Sequence, residues 1–147
     1  MIILLISFIL YTPAFASADI LGNTKIKNFA AAKRLLFKIH GKRGKTIYCG
    51  CSYKKKKVTH LACGYKYNKY KKRSSRLEWE HIVPAHAFGQ SFKEWRDGHK
   101  KCKSRKKTYK GRKCAKKVSK GFRLMEADLY NLYPSVGSIN ASRSNYS

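Results

Sequence analysis

The feature that most limits what this 147-residue chain can fold into is its charge: 34 Lys and Arg stand against 7 Asp and Glu, a formal net charge of +27. That is far more than solubility requires, and a field of this size over much of the surface selects a polyanion as partner. Nucleic acid, anionic membrane and heparin-like polymers all satisfy the inference, so charge names a class of partner and leaves the action on it open. The core has to come from what remains. A hydrophobic fraction of 43% is enough for the modest core of one compact domain rather than a disordered polymer.

Five cysteines, Cys49, Cys51, Cys63, Cys102 and Cys114, offer the usual remedy for a small core, because disulfides persist in an oxidising compartment and brace small domains. All five are disulfide candidates, their pairing is open and the odd number leaves one over. Cys49 and Cys51 form C-x-C with no second close pair, so a four-cysteine zinc site is disfavoured. The first residues agree with export. MIILLISFILYTPAFASA carries an apolar run from Ile2 to Leu10 followed by small residues, a signal-peptide pattern over residues 1–18 with cleavage after Ala16 or Ala18. No Lys or Arg precedes the run, and it falls short of the ~20 apolar residues of a membrane span. An uncleaved buried or anchoring segment is therefore the competing reading. The expectation is a secreted or periplasmic domain over residues 19–147, monomeric and without stable membrane association once the signal is removed.

Along that domain, Asn23 or Thr24 is expected to cap a helix running to about His40, with Ile26, Phe29, Ala30, Leu36, Phe37 and Ile39 on one face and Gly41 as its stop. The following segment alternates lysine clusters with short β-prone pieces, TIYC and VTHLAC, which predicts a small antiparallel sheet. Lys54–Lys57 and Lys66–Arg73 read as solvated edges or loops. Tyr65, Tyr67 and Tyr70 lie among them and read as packing residues before base-stacking platforms. Residues 91–120 read as a long loop pinned by two cysteines. A helical pattern then places Leu124, Met125, Leu129 and Leu132 inward and ends at Pro134. Another helix starts near Ser138 and carries Asn140 close to its first turn. The few residues after Asn140 make that helix marginal in water unless it is packed.

Chemistry concentrates in LEWEHIVPAHAFGQ, where Glu80 precedes His81. A carboxylate suits a hard divalent cation, and an imidazole titrating near neutrality suits general-base work on water. Adjacent residues of a regular strand point to opposite faces, so a pair serving one substrate needs a twisted, bulged or terminating strand, and Pro84 makes termination the natural choice. His86 reads as lying outside the site, His40 as a helix-end residue, and His60 and His99 as unremarkable. Trp79 and Trp95 read as packing residues.

The strings SSRLEWEHIVPAHAFGQ, YCGC followed by ACGYKY, GRKCAKK and RLMEADLYNLYPSVGSINASRSNYS occur in one order. Together they resemble the bacterial endonuclease I family over about residues 24–147. The resemblance implies a secreted or periplasmic nuclease acting on DNA, often RNA, with little sequence preference. It implies an α+β fold: a small mixed domain with a ββα-metal (His-Me finger) core, an N-terminal helix and disulfide-supported loops. In that core a bent β-hairpin carries the histidine and a following helix carries an asparagine. Carried onto this chain, His81 is the general base and Arg112 holds the scissile phosphate. Glu80 and Asn140 hold one Mg²⁺, for which Mn²⁺ or Ca²⁺ are substitutes, and Asn131 is the alternative metal asparagine. Arg76, Arg96, Lys113 and Arg143 are the expected phosphate contacts. Since family members continue past the S-R-S-N string, the resemblance also implies a C-terminally truncated form. The competing function is a catalytically impaired homologue acting as a cationic nucleic-acid-binding protein. A membrane-active cationic protein is disfavoured, because the charge is scattered among turns and short strands rather than set along an amphipathic helix.

Overall fold

The computed structural model describes residues 22–59, 63–66, 69–105 and 107–146. The signal-like segment 1–18, and with it His60 and Tyr67, lies outside the described residues. The described part is a mixture of six helices and small sheets held by two disulfides, and none of its helices is long and apolar enough to cross a membrane.

Helix α1, Phe29–Ile39, starts later than the sequence pattern predicts. Asn28 is its cap, accepting from Ala31 N–H at 2.9 Å. Asn23 is occupied otherwise: its Oδ1 accepts from Ile26 N–H at 2.8 Å, and its Nδ2 donates to the carbonyls of Ile26 and Leu124 at 2.8 Å. Such local side-chain bonds compete with helix formation and delay it. Ala32 and Leu36 are buried as the inward stripe, whereas Ile39, expected on that face, is exposed. At Gly41 φ is +71°, which closes the helix as predicted.

Strands β1 (Arg43–Lys45), β2 (Ser52–Lys54) and β3 (Lys57–Thr59) form the expected small antiparallel sheet in the order β1-β2-β3. TIYC is not one of its strands. It is the turn between β1 and β2, where Gly50 N–H bonds to Thr46 O and Cys51 N–H to Thr46 Oγ1, both at 3.1 Å. A second pair, β4 (Leu77–His81) and β7 (Leu132–Val136), runs antiparallel with Leu77 opposite Val136 and His81 opposite Leu132. Pro134 therefore ends no helix; it sits inside β7 opposite Trp79. A two-stranded sheet has an outer edge on each strand, where a residue without N–H is tolerated, and Pro134 O accepts from Ile47 N–H at 2.8 Å.

The presumed loop at 91–120 contains its own structure: α3 (Lys93–Arg96), a hairpin of β5 (Lys103–Ser104) and β6 (Lys107–Thr108), and α4 (Arg112–Val118). Cys102–Cys114 joins the root of the hairpin to α4. Just before it lies α2 (Ala85–Gly89) with Pro84 at its start. The chain continues into α5 (Lys120–Glu126) and a 3₁₀ turn at Leu129–Asn131. Of the four residues expected inward here, Leu132 is fully buried and Met125 is exposed.

Helix α6, Gly137–Arg143, follows β7 directly and packs on both β4 and β7. The strand pair is not a hairpin, since residues 82–131 intervene. Two apolar clusters flank it. Ala32, Leu36, Trp79, Ala127 and Leu132 form one, and Cys51, Tyr53, Val58, Leu77 and Val136 form the other. Each fully buried aliphatic side chain of this kind contributes about 1.5–3 kcal/mol, and β4 is fixed because both clusters hold it. The disulfides are Cys51–Cys63 and Cys102–Cys114, and Cys49 is the free thiol among the described residues.

Candidate active site

β4 is the axis of the site. Strand alternation puts Leu77, Trp79 and His81 on one face and Glu78 and Glu80 on the other. Glu80 and His81 thus diverge, with no bulge between them. Both nonetheless line one cleft where the ladder runs out, the last bond after His81 being Ile82 N–H to Asn131 O at 3.0 Å. One cleft of about 580 Å³ reaches around this end and takes in Phe29, Glu78, Glu80, His81, Arg112 and Asn140.

His81 is buried between Phe29 and Phe88, with ring centroids at 5.0 and 5.9 Å. Its Nε2 lies 2.9 Å from the backbone carbonyl of Glu126. A carbonyl only accepts, so Nε2 carries the proton and the lone pair is on Nδ1, which has no protein partner among the described residues. Burial holds the imidazole below its ordinary 6.5, partly offset by the Glu126 carbonyl. Burial thereby favours the neutral ring, with Nδ1 as its basic nitrogen.

Glu126 serves the site twice. Its side chain is fully buried, and its Oε1 accepts from Arg112 Nε at 2.7 Å. Arg112 opens α4 and lies over the Phe29 ring. With Nε committed, its two terminal nitrogens remain for an anion. Opposite, Glu80 is 4% exposed, and its Oε1 accepts from Arg143 at 2.7 Å. Burial raises the Glu80 carboxyl above its ordinary value, and Arg143 opposes the rise. Arg143 also donates to the carbonyls of His81, at 2.9 Å, and Ile82. These bonds staple the short α6 to the end of β4, the packing a seven-residue helix needs to hold Asn140 in place. Arg143 is therefore turned inward rather than free for phosphate.

Asn140, the fourth residue of α6, lines the cleft and donates from Nδ2 to Glu78 Oε2 at 3.1 Å. Asn131 stands elsewhere. Its Oδ1 accepts from Val83 N–H at 2.7 Å and its Nδ2 donates to Val83 O at 3.0 Å, so it clamps the segment after β4 and lines a separate apolar groove with Ile82, Val83 and Tyr130. Arg76 and Lys113 are exposed, Lys113 lying 5.0 Å from the Tyr109 ring centroid. Arg96 donates to the Gln90 carbonyl. His86, expected outside the site, lines the cleft and bonds Gln90 at 3.1 Å. Trp79 is buried against Phe37 as a packing residue, and Trp95 packs on Phe122 at the cleft wall. Of the tyrosines, Tyr65 bonds Ser138 at 3.0 Å and Tyr70 is exposed.

Sequence reading missed Glu78. The signal was present: in L-E-W-E-H the two glutamates are two apart, which on a strand means one shared face. As cation ligands, the donor set offers hard oxygens from Glu80 and Asn140. No group of three or more His, Cys, Asp or Glu that could hold a metal occurs among the described residues. A cation here would keep most of its water, which suits Mg²⁺.

The chain matches the model of the Endonuclease I family over residues 16–147. It is 40% identical over 126 residues to Endonuclease-1 of Buchnera aphidicola subsp. Acyrthosiphon pisum, covering 82% of this chain and 45% of the relative. An extracellular deoxyribonuclease of Aeromonas hydrophila is 39% identical over 125 residues (82% and 49%). A periplasmic deoxyribonuclease of the same organism is 37% identical over 124 residues (82% and 47%). The chain spans about half the length of the curated relatives it matches. A matched stretch that includes the whole of β4, β7 and α6 makes this chain a member of the endonuclease I family.

Proposed function

We propose that the chain is an exported, Mg²⁺-dependent endonuclease that hydrolyses phosphodiester bonds of DNA, and of RNA, with little sequence preference. The observation that carries this reading is His81, its Nε2 held 2.9 Å from the Glu126 carbonyl, in one cleft with Glu80, Asn140 and Arg112. On this reading β4, β7 and α6 are a ββα-metal, or His-Me finger, unit. Two relatives are named as extracellular and periplasmic deoxyribonucleases, and together with the disulfides and the signal-like N-terminus these names support export and DNA as substrate.

His81 Nδ1 takes a proton from the water that attacks phosphorus. Its Nε2–H stays on the Glu126 carbonyl, which holds the ring in place and favours the imidazolium that forms. Arg112, fixed through Nε, offers its terminal N–H groups to non-bridging phosphate oxygens. Glu80 and Asn140 would hold one Mg²⁺ through oxygen, with Mn²⁺ or Ca²⁺ as substitutes. When bound, the ion neutralises charge building on the non-bridging and leaving 3′ oxygens. Arg76, Arg96, Lys113 and the surface lysines engage the backbone of the nucleic acid, and phosphate contacts carry no direct sequence information. The acting form is a monomer.

The test is incubation of folded protein with supercoiled plasmid and with single-stranded RNA, in Mg²⁺ or in EDTA. Nicking and degradation that need the metal are expected; folded protein without metal-dependent cleavage would sink the proposal. One observation favours a second reading, a nucleic-acid-binding protein without turnover: Arg143 already engages Glu80. Its signature would be salt-sensitive binding of DNA with no cleavage in either condition.

A further inference from the structure

Glu78 is the one cleft carboxylate that the proposed mechanism leaves without a task. It is bound on both oxygens. Arg73 Nε donates to Oε1 at 2.9 Å, Arg73 Nη2 bonds Oε2 more closely, and Asn140 Nδ2 donates to Oε2 at 3.1 Å. The start of α6 is shaped to this arrangement. A Cβ on Gly137 would lie 2.7 Å from Arg73 O and 2.7 Å from Glu78 Oε1, and Gly137 N–H bonds Arg76 O at 2.9 Å. Only glycine lets the helix begin this close to the Arg73–Glu78 pair.

An asparagine amide has two ends of nearly the same shape, and its neighbours decide which one faces where. An ionised carboxylate only accepts, so the end of Asn140 toward Glu78 is its NH₂ group. The Oδ1 end is left facing away from Glu78, with no protein partner among the described residues. Without Glu78, the amide would rotate or turn over, and half of its orientations would present N–H groups where an oxygen ligand is needed. Arg73 has a part as well, since it balances the charge of Glu78 and holds it in one rotamer.

We propose that Glu78, held by Arg73, is the positioning residue that aims the Asn140 amide oxygen at the cation; the inference rests on the metal reading of the cleft. Outer partners of this kind usually contribute ~10–100-fold to metal affinity. Mn²⁺ binding to the full chain by isothermal titration is the first measurement. Glu78→Ala should weaken binding at least about tenfold. Asn140→Asp sets a second carboxylate against Glu78 and should bind Mn²⁺ more weakly than Glu78→Gln/Asn140→Asp, in which the introduced amide donates to the introduced carboxylate. In the metal-free protein, the ¹⁵N side-chain resonance of Asn140 should move in Glu78→Ala.

Wild-type affinity in a folded Glu78→Ala protein would overturn the inference. If that variant does not fold, equal affinities of Asn140→Asp and the double variant would overturn it. A wild-type chain that binds no Mn²⁺ would refute the metal reading instead, and the metal-free amide resonance would still decide whether Glu78 sets the orientation of Asn140.

Discussion

The two disulfides permit a controlled comparison, because each spans a sequence separation of 12. If a cross-link acts by restricting the unfolded chain, equal loops give equal stabilisation, about 3 kcal/mol at 25 °C for this length. What the bridges hold differs. Cys51–Cys63 lies in the apolar cluster with Tyr53, Val58, Leu77 and Val136. Cys102–Cys114 ties the β5–β6 hairpin to α4, two residues from Arg112. The perturbation is double substitution by alanine. Serine would leave a hydroxyl at Cys51, Cys102 and Cys114, all 0% exposed, and an unpartnered buried hydroxyl adds a cost of its own. Urea unfolding followed by circular dichroism should show Cys51→Ala/Cys63→Ala and Cys102→Ala/Cys114→Ala each losing about 3 kcal/mol. DNA cleavage kinetics should separate them: loss of Cys102–Cys114 loosens Arg112 and raises KM, while loss of Cys51–Cys63 leaves KM near the wild-type value wherever the fold persists. Stabilities differing by more than about 2 kcal/mol would refute the loop-closure reasoning. An unchanged KM after removal of Cys102–Cys114 would refute the role given to that bridge in holding Arg112.

Gly137→Ala places a methyl group against backbone and carboxylate at 2.7 Å; it should cost about 1–3 kcal/mol in thermal melts, and Mn²⁺ affinity should fall with it. Asn131→Ala removes both bonds to Val83 and should lower stability by about 1–3 kcal/mol, while Mn²⁺ titration of the folded variant gives the wild-type affinity. Burial holds the His81 imidazole below 6.5, and a nearby cation acts in the same direction, so the acid limb of kcat/KM should lie below pH 6.5; a limb above it would contradict the base assignment. His40 is likewise lowered by burial. A depressed histidine contributes stability in full above 6.5 and loses it as pH falls through the folded value. Glu80 is raised and acts in the opposite sense, its contribution full below 4.5 and lost as pH rises through the folded value. Melting temperatures of metal-free wild type and His40→Gln isolate the His40 part: below pH 6.5 the variant should fall less steeply.

How much of this was legible in the sequence depended on where each signal resided. Glu80 and His81 stand out as an acid beside an imidazole, Arg112 and Asn140 follow only from the family resemblance, and the fold brings all four to one cleft around the end of β4. The α1 stripe and the small lysine-rich sheet were visible in local periodicity and turn residues. What was missed depends on partners far away in the chain. Asn23 reads as a cap until Leu124 supplies a carbonyl for it. Pro134 reads as a helix stop until β4 pairs with β7 and leaves it an edge. Residues 91–120 carry few apolar residues, so neither period shows, and the disulfide with contacts among α2, α3, α4 and α5 gives the segment its shape. Arg143 reads as one more surface cation, and only the placement of α6 reveals three acceptors converging on it. Glu78 was within reach through strand alternation.

The proposed mechanism depends above all on His81 Nδ1 as the base in a metal-dependent phosphodiester hydrolysis. It is tested most directly by single-turnover cleavage of a labelled DNA duplex by His81→Ala in Mg²⁺, with duplex affinity measured in parallel. The rate should fall by about 10²–10⁴-fold, with DNA affinity close to wild type and partial recovery on adding imidazole. A variant that folds, binds and cuts at the wild-type rate would contradict it.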